Sequence, residues 1–333
     1  MSDSRQDDWR PTASWATLRQ RARALAAIRT FFAARGLLEV ETPALLQHAV
    51  TDPQLHNLPV RHGNRRTLFL HTSPEFHMKR LLAAGAPDIW QLARVYRDGE
   101  VGRHHEPEFA LIEWYRHGFG LRQLADESCA LIEHLANVLP ATAAVPRSPP
   151  VHWRYQQLFQ DALALDPLVA TAAELEACAR ALLGERCALL PGVGDNDATL
   201  WLDLLMTHVV QPRLASTFLA VVSGYPASQA AWARHDPGDA RVAERFEVYL
   251  CGIEVANGYH ELTDPAEHRR RLAADRGARA RLGLPDVVPD SHFLAAIDHG
   301  LPDCAGVAVG LDRVLMVLAG LPDLRSVVAF PVL

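Results

Sequence analysis

Between Trp15 and Arg35 the apolar residues Leu18, Ala22, Leu25, Ile28 and Phe32 recur every three or four positions, the period of one helix face. Ser14 is placed to cap this helix and Gly36 to end it. Residues 37–42 then read as a strand that stops at Pro43, because proline cannot donate to a strand ladder. Residues 67–72 predict a second strand, and Ser73 and Pro74 the N-cap and first position of a helix ending before Gly85. Glu75 falls in that helix's first turn. Residues 89–97 and 109–116 read as two strands joined by a polar loop, 98–108. Strand alternation places Phe109, Leu111, Glu113 and Tyr115 on one face.

Leu121, Leu124, Ser128, Leu131 and Leu135 mark another helix, after which the Pro/Ala-rich stretch 140–150 reads as a linker. Thr171 and Glu174 form a capping box opening a helix to Leu183, and Asp197 is placed to cap another. We therefore expect a helical insertion at about 153–215. Strands return at 217–223 and 246–253, a helix capped by Asp264 and Pro265 runs to about Leu282, and a Gly-rich strand, 304–310, feeds a helix near Leu311-Asp312-Arg313. The expected organisation is an N-terminal tail, 1–13, and one α+β catalytic domain, 14–333, with an antiparallel sheet flanked by helices.

Composition narrows the chemistry. With 333 residues, 49% hydrophobic and 22% charged, the chain has the make-up of a soluble globular protein. A net charge of −6 supplies no general attraction for nucleic acid or an anionic membrane. Lys79 is the only lysine, and it lies outside any Gly-rich loop, which excludes a Walker-type phosphate loop. Any phosphate must be met by arginine. The five cysteines are never paired as C-x-x-C, against a disulfide framework or a cysteine-rich zinc site. The polar N-terminus lacks a signal-peptide pattern, so a cytoplasmic protein is expected.

Three separated features occur in chain order: the helix–strand–Pro43 unit, two strands with Arg97 at their connecting loop, and Gly310-Leu311-Asp312-Arg313 at a strand-to-helix junction. Together they resemble motifs 1, 2 and 3 of the class II aminoacyl-tRNA synthetases. Ser73-Pro74-Glu75, the run from Glu108 and Phe109 to Glu113 and Tyr115, and Gly252 to Leu262 are similar to the lysyl-tRNA synthetase branch. About a dozen residues precede the first helix, which leaves no room for an N-terminal anticodon-binding domain. The resemblance thus points to the truncated paralogues, the elongation factor P–lysine ligases.

That resemblance implies ATP-dependent, AMP-forming activation of (R)-β-lysine and its transfer to a lysine of elongation factor P by a homodimer built around the first helix and Pro43. Arg97 would grip the α-phosphate and Arg313 the γ-phosphate end, since a guanidinium fork matches phosphate oxygens. It extends the ATP site to Asp98, Gly99, Glu100, Glu106, Val255 and Gly310, with Arg103, His104 and His105 in the motif 2 loop. Glu254 and Glu261 would carry Mg²⁺, a hard cation suited to oxygen ligands, and Asn257-Gly258 is read as a turn bringing them together. The lysine site would comprise Ser73, Pro74, Glu75, Glu113, Tyr115, Asn257, Glu261 and Ala308, because two ammonium groups call for carboxylates and a phenol. Ala308 replaces a glycine of the lysyl-tRNA synthetase motif. One methyl is worth roughly 1–3 kcal/mol of pocket discrimination, enough to favour a different lysine isomer.

Two positions depart from the family pattern. Gly99 stands where motif 2 has the glutamate that reads adenine, with Glu100 next to it to substitute, and Glu106 stands where asparagine is usual. They leave two rivals: a tRNA-charging enzyme, opposed by the chain's charge and extent, and a regulatory protein that keeps the fold without turnover.

Overall fold

The structure is a computed structural model that describes residues 9–63, 66–140, 146–184, 187 and 198–332. Residues 1–8 of the expected tail, 141–145 of the expected linker and Asp197 lie outside them. Helix α1 (Trp15–Ala33) starts at Ser14, whose hydroxyl accepts the Thr17 N–H at 3.1 Å, and buries Ala24, Ile28 and Phe32. Strand β1 (Leu38–Glu39) is only two residues long. Val40 gives one more hydrogen bond, to Trp90 O at 2.9 Å, before the chain leaves the sheet toward Pro43.

Strands β2 (Leu45–Leu46), β3 (Pro59–His62) and β4 (Arg66–Leu70) form a small antiparallel sheet. Helix α2 (Glu75–Ala83) has Pro74 as its N-cap, one residue later than the sequence pattern places it. Strands β5 (Ile89–Tyr96) and β6 (Glu108–His117) pair antiparallel and lead into α3 (Leu121–Val138). Strand β7 (Val151–Arg154) precedes α4 (Tyr155–Leu163), α5 (Ala172–Leu183) and α6 (Ala198–Leu205). The Thr171–Glu174 capping box is made. The chain returns through β8 (Leu219–Pro226), β9 (His235–Asp236), β10 (Asp239–Leu250) and β11 (Ile253–His260). It closes with α7 (Pro265–Arg281), α8 (Ser291–His299), β12 (Cys304–Gly310) and α9 (Leu311–Leu318).

The main sheet runs β1-β5-β6-β12-β11-β10-β8-β7, antiparallel through its centre. Its two outermost pairings, β1 with β5 and β7 with β8, are parallel. The strand expected at 246–253 is two strands, because Cys251 (φ 50°) and Gly252 (φ 79°) turn the chain between β10 and β11. The two-residue connection lacks the usual Asn-Gly or Asp-Gly signature.

The faces of the sheet are treated differently. On one, α1, α3 and α9 bury a continuous core that includes Phe32, Trp114, Leu131 and Leu315. On the other, α4 to α6 pack over the β8–β10 side, with Phe159, Trp201 and Leu205 against Val222 and Tyr249. Helices α2 and α8 pack near β6, with Met78, Phe293 and Ile297 beside Tyr115. The centre of this second face, over β6, β12 and β11, carries the polar side chains.

Candidate active site

Strand β12 makes the floor. Its bulky residues, Val307 and Val309, enter the core, whereas Gly306, Ala308 and Gly310 alternate onto the polar face. A methyl at Gly306 would overlap the Tyr115 ring and lie 2.5 Å from Glu261 Oε1, so these side chains close directly over the backbone. Cross-strand register then aligns Gln91, Glu113, Ala308, Asn257 and Glu247 in one row. The oxygens Gln91 Oε1, Glu113 Oε2 and Asn257 Oδ1 in that row are buried without a donor.

A bulge brings Glu254 to the same face. Val248 pairs with Ala256 but Tyr249 pairs with Glu254, so β11 carries one extra residue. Val255 and Ala256 consequently both enter the core, and Glu254 shares a face with Asn257 despite their odd spacing. The Val255 side chain is therefore turned away, and only its backbone can meet a ligand.

Arg97, Glu100, Glu106, Glu254, Asn257, Ala308, Gly310 and Arg313 line one cavity. Arg313, in the first turn of α9, donates to His104 O (3.1 Å) and Glu254 O (3.2 Å). Its neighbour Asp312 is buried and accepts from the Ala110 N–H (2.7 Å) and from Arg21, tying this junction to β6 and α1. Gly99 has φ +80°, a left-handed conformation that costs a glycine little, and Glu100 beyond it meets Arg97 at 3.3 Å. Glu106 does not meet Arg103, which donates instead to Pro322 O. It accepts from the Val332 N–H (3.3 Å) and lies 3.7 Å from Arg325. Asp98 lines a separate cavity of about 730 Å³ with His56 and Arg279, so it is not brought to the arginine pair.

The other group of expected residues lies at the α2 end. Lys79 Nζ contacts Glu75 Oε1 and Glu261 Oε2, each at 2.7 Å, and Tyr115 OH donates to Glu113 Oε1 at 2.7 Å. Ser73 Oγ accepts weakly from the Glu75 N–H at 3.4 Å, and Pro74 only starts the helix. Phe76 stacks on Phe293 at 4.1 Å and so anchors α2. Burial pushes Glu113 up to about 8, with Glu75 adding repulsion. Burial also holds Glu261 up to about 7 against the opposing pull of Lys79.

The turn expected to bring Glu254 and Glu261 together is not formed. Asn257 and Gly258 are not a turn but lie mid-strand in β11, paired on both sides. Gly258 is there because a Cβ would collide with the Phe246 ring at 2.5 Å. Glu261 lies just beyond the end of β11 against Lys79, whereas Glu254 lines the cavity with Arg97 and Arg313. The carboxylate that bears on Glu254 is Glu247. Although Glu254 keeps some exposed surface, burial first and Glu247 second push it up to about 7. Glu247 itself accepts from Tyr225 (2.5 Å), Tyr249 and Arg245 (2.6 Å).

Sequence reasoning missed Glu247, Gln91 and Lys79 as parts of the site. Only strand register reveals the first two. The four-residue spacing of Glu75 and Lys79 on one helix was a readable signal for the third.

The family model described as tRNA synthetases class II (D, K and N) matches residues 2–333. The chain belongs to the class II tRNA synthetase family. Its relatives include the elongation factor P–(R)-β-lysine ligases of Vibrio vulnificus and Vibrio cholerae, each 44% identical, over 331 and 329 residues. These alignments cover 98% and 97% of this chain and 98% of each relative. The ligase of Klebsiella pneumoniae is 43% identical over 331 residues, 97% of either chain. The helix-flanked sheet, antiparallel at its centre, is the catalytic fold of the class II synthetases.

Proposed function

We propose that the chain activates (R)-β-lysine with ATP as an aminoacyl-adenylate and transfers it to the ε-amino group of a lysine on elongation factor P. The relatives' names supply amino acid and acceptor, and ATP use follows from the family. The observation that carries the reading on this chain is the row of donorless oxygens on Gln91, Glu113 and Asn257. Buried acceptors without donors are rare, and an ammonium group, with three N–H donors and no acceptor, satisfies them.

In the first half-reaction a substrate carboxylate oxygen bonds to the α-phosphorus and the bond to pyrophosphate breaks. Arg97 and Arg313 answer the charge that gathers on the phosphate oxygens. Glu113, Tyr115, Glu75, Glu261 and Asn257 hold the ammonium groups at the opposite end, which aims the carboxylate at Arg97. Glu100, turned back by Gly99, takes the place of the missing adenine-reading glutamate. In the second half-reaction the acceptor amine's lone pair attacks the carbonyl carbon, AMP leaves with the C–O electrons, and the amine's proton passes to solvent. No side chain of the enzyme is acylated.

Glu254, which lines the cavity of Arg97 and Arg313 and has its carboxyl pushed up by burial and by Glu247, would be the carboxylate to hold a divalent cation there. Mg²⁺ held there would neutralise triphosphate charge. Trp9, Trp15, Leu38 and Leu45 leave large apolar surfaces exposed beside α1 and β1, which supports a homodimer through this region. No helix among the described residues is long and apolar enough to cross a membrane, and we place the protein in the cytoplasm. The net charge of −6 disfavours tRNA as acceptor.

The test is pyrophosphate exchange with ATP and either lysine isomer, followed by offering elongation factor P or tRNA as acceptor for the labelled amino acid. Exchange with β-lysine and label on elongation factor P are expected, and label on tRNA alone would overturn the acceptor. Arg97→Ala should abolish exchange.

A further inference from the structure

Lys79 is the chain's one lysine, and its side chain has no exposed surface. Burying an ammonium costs several kcal/mol unless it is paired, and a position whose only task was packing α2 would be better served by methionine or leucine. The groups that pair it are Glu75, one turn earlier on α2, and Glu261, just beyond β11. Both carboxylates belong to the proposed lysine pocket. The Trp232 ring, 5.9 Å away, adds a further cation-binding surface.

Four titratable groups that act on these three residues, Tyr115, Tyr259, Cys304 and His268, are neutral near pH 7. Tyr115 and Tyr259 are held above the usual phenol range by burial, as is the Cys304 thiol above its own. Burial lowers His268 to about 4, and its Nε2 is 2.8 Å from Leu262 O. With a substrate in place, the pocket charge is therefore set by Glu75, Glu113 and Glu261 against Lys79. Three carboxylates and one ammonium leave two negative charges, the number that matches the two ammonium groups of a lysine.

We propose that Lys79 is a positioning residue for the amino acid: a built-in ammonium that holds Glu75 and Glu261 in place and trims the pocket to the charge of a diammonium substrate. This rests on lysine activation as the chain's reaction. Without Lys79, three carboxylates, two of them buried, face two ammonium groups, and one carboxylate is left without a partner.

The experiment compares Lys79→Met, Lys79→Gln and Lys79→Arg in ATP–pyrophosphate exchange. Lys79→Met should raise the KM for β-lysine about tenfold or more, because truncating one partner of a buried charge pair strands the other. The KM for ATP should stay within about twofold, since the arginine end is untouched. Lys79→Arg should recover most of the loss. In a Glu75→Gln background, Lys79→Met should cost less, because one carboxylate no longer needs the cation. If Lys79→Met does not fold, Lys79→Gln against Lys79→Arg gives the same readout. An unchanged β-lysine KM, an equal rise in both KM values, or an arginine variant no better than the neutral one overturns the proposal. Calorimetric binding of 1,5-diaminopentane to the wild type and the same variants separates the two claims. If no lysine supports exchange, the diamine still binds wild type and Lys79→Met loses it, the activation reading fails while the role of Lys79 stands. Diamine binding undiminished in Lys79→Met overturns that role.

Discussion

Raising the pH from 6 to 8 should lower the KM for the amino acid by about 50-fold through Glu113 alone. Burial places this carboxyl at about 8 in the empty pocket, so it is protonated through most of the window, yet an ammonium partner requires the ionised form. The apparent KM scales with one plus the ratio of protonated to ionised carboxyl, about 100 at pH 6 and about 2 at pH 8. Glu261, at about 7, steepens the same trend. The substrate's ε-amine keeps its proton over this range, so the slope reports the enzyme. The assay is pyrophosphate exchange at saturating ATP, with the KM for β-lysine taken at half-unit steps. In Glu113→Gln the KM should start high and lose the part of its slope that Glu113 supplies. A KM that stays flat between pH 6 and 8, or an equal slope in Glu113→Gln, would refute the reasoning.

Gly306→Ala should raise the lysine KM, because its methyl overlaps Tyr115 and crowds Glu261. Overpacking at this level costs about 1–3 kcal/mol, and an unchanged KM would show that the pocket floor lies elsewhere. Ala308→Gly should shift preference toward α-lysine, read as the ratio of kcat/KM for the two isomers, since Ala308 stands between Glu113 and Asn257. The ligand-free protein in a chelating buffer should lose thermal stability from pH 6.5 to 8. Glu113, Glu254 and Glu261 have raised folded-state pKa values, so the native state binds more protons than the unfolded chain above about 4.5. Differential scanning calorimetry checks it, and a rising Tm over that window contradicts it. Below pH 6.5 the depressed His268 acts in the opposite sense.

Local chemistry made much of the fold readable. The Ser14 cap, the Thr171–Glu174 box and the three- and four-residue apolar spacing of α1 are decided within a few residues, and these features form as expected. The convergence of Arg97 with Arg313 was readable only as a likeness, since some two hundred residues separate them. What escaped was register. The Cys251–Gly252 turn has no sequence signature, and the Val255 bulge depends on how β10 meets β11. Without the bulge, Glu254 and Asn257 would face opposite ways. Without the register, Glu247 cannot be seen beside Glu254, and the misplaced Asn257–Gly258 turn follows. Adjacency to Arg97 along the chain does not carry Asp98 into the same cavity once the loop turns.

The central claim is that one trough holds phosphates at its arginine end and ammonium groups at its carboxylate end. A crystal structure with a non-hydrolysable β-lysyl-adenylate tests it most directly. The account predicts the phosphate against Arg97 and one ammonium within hydrogen-bonding distance of Glu113 Oε2 and Asn257 Oδ1, with Lys79 still between Glu75 and Glu261. An adenylate bound in the opposite sense, or in the cavity lined by Asp98 and Arg279, would contradict it.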